Sequence, residues 1–508
     1  MGLFLLLLAA CAGGPGDPGA VPAERFYQSA YGKIDELYLE PVDMRRLVVD
    51  GLIHAGMVIP SLTVTVQPGG GAITLAVGSR SPRTFALPDS PEASAWAHFA
   101  ATVTDWTAAQ APDQAPASQT RESLYRALLE GGTADLDPYS RYSVPAAART
   151  ERSRREGYIG IGVTLEETPR GFRVIAIAPG SPASTAGLWV GDLITTVGGL
   201  PVDAAGGGAA LTVEGVMSRL SGPEGTGVPV RVARGGTTLT LLISRQRIIL
   251  PTVTAERAGA VGVLHVSRFN AGTADALAAT IHRLRDTDAG SGPPTGWVLD
   301  LRGNTGGLLD QAVAVADLFL TSGPILTTVG RHPDSMQHYD ATPGDILDGA
   351  PLVVLADGQT ASSAEIVLGA LVDGGRALDV GTTSFGKGVV QTVAPLPNGG
   401  ELFLTWSRIM TPAGRMFDHQ GLAPAICTSG QTDAGAILAP LRAQPRPNPG
   451  ISGAAAACPA ERDRPAAVDL RVAEDLLTNP PLLRRAQLAG QTLLADQPSA
   501  TEGASGLP

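Results

Sequence analysis

The chain has 508 residues, among them 63 Gly and 40 Pro, with 44% apolar and only 17% charged side chains. That length predicts two to four domains with ample material for buried cores, and the composition excludes collagen, coiled coil and wholesale disorder. The formal net charge is −11, no basic run exceeds Arg152-Ser-Arg154-Arg155 and no stretch approaches the roughly 18 apolar residues that cross a bilayer, so no nucleic-acid partner is expected.

At the N-terminus, Met1 to Ala10 is an apolar run ending in small residues, the pattern of a secretory signal. Leu8-Ala-Ala-Cys11 also resembles a bacterial lipoprotein box, in which residues 1–10 are removed and Cys11 carries the lipid. The run is short and lacks a basic first region, which points to a start further upstream. The expected location is the bacterial cell envelope, on the periplasmic side, with membrane contact only through the lipid anchor. Export leaves Cys427 and Cys458, for which an oxidising compartment permits a disulfide; two free, buried thiols are the alternative. The seven His residues are scattered and no Cys–His cluster has ligand spacing, so no metal and no cofactor are expected.

From Glu24 to about Met57, apolar residues recur at helical spacing (Phe26, Ala30, Ile34, Leu37, then Leu47, Val48, Leu52). Residues 58–117 are punctuated by Pro and Gly and carry short strand-like pieces, such as 62–66 and 72–77. They read as an insertion into a helical region spanning 23–156. Helical character returns at Glu122–Glu130, and Leu136-Asp-Pro-Tyr-Ser-Arg-Tyr142 makes a turn. From Gly157 to about 247, short strands with one or two helices make a compact module. From 248 to 430, strand-like and helical segments alternate, which predicts crossover connections and a largely parallel or mixed sheet. Residues 431–508 read as an Ala/Gly/Pro-rich extension with one amphipathic piece near Val468–Leu477.

Of 37 basic residues only two are Lys, Lys33 and Lys387. Arg cannot accept a proton whereas a buried Lys can, so a lone Lys in the apolar, Gly-rich Ser384-Phe-Gly-Lys387-Gly-Val-Val is a catalytic candidate. Lys33, in a polar helical stretch, fits a surface role. In Leu355-Ala-Asp-Gly-Gln-Thr-Ala-Ser362-Ser363-Ala-Glu365, an apolar strand runs into a turn and a helix starts at the serines. A hydroxyl there sits beside unpaired N–H groups and the positive end of a helix, which suits a nucleophile whose attack creates an oxyanion. Alternatively Ser362 is an N-cap, with Glu365 completing a capping box. Lys387 follows after one helix and one strand, so both ends return to the same sheet edge. A Ser hydroxyl needs a base, and a desolvated Lys can act as one. If 388–393 is a strand, Gln391 shares a face with Lys387 and can hold the amine without adding charge. Leu299-Asp-Leu-Arg302-Gly-Asn304-Thr-Gly306-Gly307 is a buried strand with a Gly-rich turn, whose N–H groups could complete an oxyanion hole.

These motifs, in this order, resemble the carboxy-terminal processing, or tail-specific, serine peptidases. The family's Ser-Ala-Ser-Glu, Phe-Gly-Lys-Gly-x-x-Gln, Asp-x-Arg-x-Asn-x-Gly-Gly and Leu-Asp-Pro-Tyr-Ser match Ser362–Glu365, Phe385–Gln391, Asp300–Gly307 and Leu136–Ser140. The resemblance covers most of 24–57 and 118–430. It implies an α/β fold: a crotonase/Clp-like peptidase core over 248–430, an inserted PDZ module over 157–247 and a helical N-terminal region. It further implies Ser362 as nucleophile, Lys387 as general base, Gln391 as its orienter, and an oxyanion hole from the N–H groups of Ser363 and of Gly306 or Gly307. Ile159, Gly160, Ile161, Gly162 and Val163 occupy the position of the PDZ carboxylate-binding loop, where amides hold a terminal carboxylate while the tail adds a strand. Partners would be proteins or peptides with exposed C-termini, together with an adaptor or a second copy. Ser363 beside Ser362, Thr305 in place of a frequent Pro, and the segments 58–117 and beyond 430 depart from the family pattern. The rival readings are a catalytically silent tail-binding scaffold or adaptor in the cell envelope, and a Ser–His–Asp protease drawing on His265, His282 or His419.

Overall fold

The computed structural model describes residues 21–110, 117–202, 211–286, 292–443, 458–462 and 467–495. Cys11 and the expected leader lie outside the described residues. The chain divides into two compact units, one drawn from Met1–Arg149, Thr328–Gln337 and Val389–Ile409, the other from Thr150–Thr327, His338–Gly388 and Met410–Pro508.

In the first unit, helices Ala23–Leu37 and Met44–Val58 form where the apolar period places them. Each buries one stripe, and Phe26 stacks on Tyr125 of helix Ala117–Ala134 with ring centroids 3.9 Å apart. Segment 58–117, read as an insertion, shares the core of this unit. Its strands Leu62–Val66, Ala72–Val77 and Arg83–Ala86 form an antiparallel sheet, and helix Ala93–Ala109 follows. Trp96, Ala97, Ala100 and Val103 of that helix are buried in the same cluster as Phe26 and Tyr27. Its exposed face is the narrow stripe Ser94, His98, Thr102 and Asp105, and no side-chain cap marks its start. Strands Val389–Pro395 and Glu401–Met410 pair antiparallel, and Arg141–Ser143 joins the second of them.

Helix Pro145–Glu156 ends the region expected to be helical, and most of it falls beyond the boundary at Arg149, in the second unit. The module expected over 157–247 is an antiparallel sheet in the order Thr237–Ser244, Gly227–Arg234, Leu193–Val197, Gly171–Ile177, Val163–Thr168. Val163–Thr168 is its edge, and helix Val213–Leu220 starts at the Thr212 side-chain cap.

The rest of this unit is built on a six-stranded sheet in chain order: Val253–Ala258, Val261–Val266, Gly296–Asp300, Leu352–Ala356, Leu378–Gly381 and Ile426–Cys427. The first pair is antiparallel and the others are parallel. The three central parallel strands Val261–Val266, Gly296–Asp300 and Leu352–Ala356 are followed by crossover helices Thr273–Asp286, Leu309–Asp317 and Ser363–Asp373, which pack against one another. Helices Ala434–Ala443, Ala467–Leu477 and Pro480–Ala495 also pack together and onto the sheet, so the expected extension is part of the core. Leu476 is fully buried against this layer. Leu476→Ala is therefore expected to cost about 2–5 kcal/mol of stability, measured by denaturant unfolding followed on this unit. A free tail would give no change.

Candidate active site

Strand Leu352–Ala356 ends at a tight turn in which Asp357 accepts hydrogen bonds from the N–H groups of Gly303, Gln359 and Thr360. Ser362 comes just after this turn, immediately before helix Ser363–Asp373. Its backbone has φ 56° and ψ −120°, a conformation that costs a non-Gly residue about 1–3 kcal/mol and persists only where the surroundings enforce it. The enforcement is visible. The Ser362 N–H donates to Glu365 Oε2 at 2.8 Å, and its carbonyl accepts from the N–H groups of Glu365 and Ile366.

Glu365 does far more than cap a helix. The residue is fully buried, and its carboxylate accepts four hydrogen bonds: Oε1 from Ser384 Oγ at 2.5 Å and the Gly386 N–H at 2.7 Å, Oε2 from the N–H groups of Ser362 at 2.8 Å and Lys387 at 2.9 Å. Burial pushes its pKa above the usual glutamate value, and the four donors pull against that rise. A single oxygen atom thus joins the backbones of Ser362 and Lys387, which stand 25 residues apart in sequence. Gly386 and Gly388 let the Lys387 segment lie against the loop 418–421. A Cβ on Gly386 would come within 2.7 Å of the Gly421 nitrogen and one on Gly388 within 2.5 Å of the Asp418 nitrogen. Lys387 itself is half-buried.

The Gly-rich turn after strand Gly296–Asp300 lies against Ser362. A Cβ on Gly306 would come within 2.9 Å of Ser362 Cβ and 3.1 Å of the Ser363 nitrogen. Gly307 has φ 151°, and a Cβ there would sit 2.0 Å from the Phe269 carbonyl oxygen. Either Gly306 or Gly307 was expected to supply an N–H, and the structure separates them. The Gly306 N–H donates to Asn304 Oδ1 at 2.9 Å, whereas the N–H groups of Gly307 and Ser363 carry no hydrogen bond among the described residues. Asn304 is fully buried and donates to the Val266 carbonyl, which fixes the amide that holds Gly306. The hydroxyl of Ser363 donates to the Gly307 carbonyl at 3.0 Å, so Ser363 is spent on holding the turn.

Behind this turn, Arg302 clasps Asp300 with Nε and Nη2 at 2.8 and 2.7 Å and reaches Asp469 of the C-terminal layer with Nη1 at 3.1 Å. His265 Nδ1 lies 3.7 Å from Asp300. Burial alone would raise the Asp300 pKa, but the bonds from Arg302 and His265 bring it down to about 2. Of the other two histidines considered for a triad, His282 is exposed and His419 lies beside Asp418.

Gln391 belongs to the first unit. Lys387 precedes strand Val389–Pro395, and the ladder shifts register between Val390 and Gln391. The extra residue of that shift, Trp406, is on the partner strand; it is the position of Lys387 outside the strand that removes even spacing as a link between the two side chains. The Gln391 amide donates to the Tyr139 carbonyl at 2.7 Å. Leu136-Asp-Pro-Tyr-Ser140 is shaped for this: Asp137 accepts from the N–H groups of Tyr139 and Ser140, and the Ser140 hydroxyl accepts from the Thr405 N–H.

In the module before the core, Ile159 and Gly160 pair with Arg247 and Gln246. Gly162 turns with φ 83°, and a Cβ there would strike Ser181 at 2.4 Å. The Ile161 and Gly162 carbonyls accept from Ala183 and Ala178, while their N–H groups carry no hydrogen bond among the described residues. Val163 begins the edge strand. Cys427 and Cys458 are joined as a disulfide with Cα atoms 5.8 Å apart. No group of three or more His, Cys, Asp or Glu side chains among the described residues has metal-binding geometry.

Residues 260–428 match the model of peptidase family S41, and residues 157–244 match that of the PDZ domain. The chain is 36% identical over 314 residues to a carboxy-terminal-processing protease of Bartonella bacilliformis, covering 60% of this chain and 69% of that protein. The chain belongs to peptidase family S41. It is also 32% identical over 315 residues to a carboxyl-terminal-processing protease of a Picosynechococcus species, covering 60% of this chain and 73% of that one. To the chloroplastic carboxyl-terminal-processing peptidase 2 of Arabidopsis thaliana it is 30% identical over 322 residues, 60% of each chain. The fold of this S41 peptidase is accordingly mixed α/β, with a PDZ domain ahead of the peptidase core, as the sequence motifs implied.

Two consequences of the S41 site geometry are measurable. Glu365→Gln turns one acceptor oxygen into an NH2 facing buried donors, and is expected to cost about 1–3 kcal/mol for each donor left unpaired, read by urea unfolding. A near-neutral result would show that the carboxylate does not hold the two loops. Asp300 titrates near 2 when folded against 3.8 ordinarily. Its contribution of about 2 kcal/mol is therefore present above pH 4 and lost as pH falls towards 2. Acid unfolding of Asp300→Asn should lack that part of the slope.

Proposed function

We propose that this S41 peptidase is an exported serine endopeptidase that takes polypeptides by their C-terminal tails and cleaves them by acyl transfer from Ser362, with Lys387 as the base. The observation that carries the reading is the Glu365 carboxylate oxygen shared by the backbone N–H groups of Ser362 and Lys387. It unites a serine in strained backbone at a helix start with one of the chain's two lysines. The neutral Lys387 amine would accept the Ser362 proton as Oγ attacks the scissile carbonyl, and then deliver it to the leaving amine. A water molecule, deprotonated by the same amine, would release the acyl group. The N–H groups of Ser363 and Gly307 are open to receive the oxyanion. Gln391 is assigned the orienting role on sequence grounds alone.

Substrate capture would use the PDZ domain. The tail would add a strand along the edge Val163–Thr168, with its carboxylate on the N–H groups of Ile161 and Gly162. The names of the relatives, which describe carboxy-terminal processing, support this substrate class. Export to the cell envelope through a lipidated Cys11 is supported by the leader-like sequence, and the Cys427–Cys458 bond fits an oxidising compartment.

The test is hydrolysis of a peptide with a free, apolar C-terminus by wild type, Ser362→Ala, Lys387→Ala and Lys387→Arg. The serine variant is expected to be inactive, and both lysine variants to lose on the order of 10²–10⁴-fold in kcat while remaining folded. Arg stays protonated and cannot take the serine proton. Wild-type activity should rise from neutral to mildly alkaline pH as the amine loses its proton. An active Lys387→Arg enzyme would remove Lys387 as the base; a folded wild type that binds but never cuts tails would leave a binding scaffold instead.

A further inference from the structure

Residues 458–462 lie beyond the stretch that matches the S41 model, yet they run between the two loops of the candidate site. The Glu461 carbonyl accepts from the Gly358 N–H at 2.8 Å, and the Gln359 amide donates to the Arg462 carbonyl; both donors belong to the turn that delivers Ser362. On the other side, the Thr383 hydroxyl donates to the Cys458 carbonyl at 2.5 Å, the Glu461 N–H donates to Thr382 Oγ1 at 3.2 Å, and the Arg462 guanidinium lies 4.9 Å from the centre of the Phe385 ring. These belong to the segment that delivers Lys387. The packing leaves no slack, since a Cβ on Gly358 would come within 3.0 Å of the Glu461 backbone. The segment is anchored at one end by the Cys427–Cys458 disulfide and in its middle by Glu461, whose carboxylate accepts from Ser429 Oγ at 2.5 Å and the Gly430 N–H at 2.7 Å.

We propose that Cys458–Arg462 is a positioning strap for the peptidase site, and that the disulfide and Glu461 are its two anchors. Buried Glu365 joins the two loops from within the core; the strap joins them from outside it. Neither anchor touches the reacting atoms. Their effect is on the relative placement of Ser362 and Lys387, where a displacement of about 1 Å costs on the order of 10²-fold in rate. This proposal rests on the assignment of those two residues as nucleophile and base.

The test uses the full chain with the same tail peptide, comparing wild type, Cys427→Ser/Cys458→Ser, Glu461→Ala and Ser362→Ala. Loosening the strap is expected to lower kcat about 10–100-fold while KM changes by less than about threefold, because the PDZ domain that captures the tail is untouched. The rising limb of the kcat–pH profile should also move to higher pH, as the Lys387 segment opens to water and the charged amine gains solvation. Loss of folded enzyme alone would lower the concentration of active sites and leave that limb in place. Wild-type kcat and an unmoved limb in folded strap variants, with Ser362→Ala inactive, would overturn the strap and leave the dyad standing. Activity in Ser362→Ala would overturn the dyad, and the strap proposal with it. Should the cysteine-free chain not fold, Glu461→Ala, which keeps the disulfide, decides by the same readings.

Discussion

A single buried carboxylate organises the peptidase core. Taking a charge out of water is costly, and the upward push on the Glu365 pKa records that cost. What makes the placement tenable is that all four of its partners are donors, three backbone N–H groups and one hydroxyl. The Ser384 hydroxyl is oriented for this, because its oxygen already accepts from the Leu422 N–H and its proton is left to point at the carboxylate. A neutral acid would bring a fifth proton into a ring of donors. The ionised form is the one that satisfies the ring. Charge-assisted bonds of this kind are roughly twice as strong as neutral ones, and here they fasten two loops separated by a helix and a strand.

That fastening makes the geometry of Ser362 intelligible. A positive φ at serine is unfavourable in isolation, and it is adopted because both polar backbone groups are committed, the N–H to Glu365 and the carbonyl to the first helical turn. The result turns the chain sharply from strand to helix and leaves the Ser363 N–H beside Gly306 without an acceptor among the described residues. The glycine turn contributes by subtraction. Gly306 gives up its own N–H to Asn304 so that the chain can close on the serine loop, and Gly307 then presents the open donor. Only glycine fits at either position, for two reasons: φ is positive at both, and each meets its neighbour closer than a Cβ allows.

Much of this was legible in the sequence, and the failures have identifiable causes. Helix Ser363–Asp373 and its flanking strands follow from an apolar run, a serine start and a second apolar run. The order of motifs gave the family, because that order reflects which loops the parallel sheet brings to one edge. Glu365 was visible only as the last residue of a capping box; that its carboxylate also reaches Gly386 and Lys387 depends on a chain reversal 20 residues away. The choice between Gly306 and Gly307 depends on where Asn304 points, which spacing does not encode. The alternation argument for Gln391 presumed a strand reaching back to residue 388, whereas the strand starts at Val389 and leaves Lys387 outside its period. Helix Ala93–Ala109 was missed because its polar face, Ser94, His98, Thr102 and Asp105, is narrow and weakly polar and no side-chain cap announces it.

The C-terminal layer, read as an extension, covers one face of the parallel sheet. In the parallel part of the sheet the strands stand in chain order. Right-handed crossovers that always step in the same direction place their helices on the same face. One face is therefore covered by helices Thr273–Asp286, Leu309–Asp317 and Ser363–Asp373, and the other would show Val298, Val353, Leu355 and Val380 to water. A parallel sheet that is apolar on both faces needs two covers. The chain beyond residue 428 supplies the second. Val472, Leu476 and Leu483 fill that role, and the same layer sends Asp469 to Arg302 behind the glycine turn. Covering the sheet and bracing the site are thus one task, met by residues whose composition advertises neither.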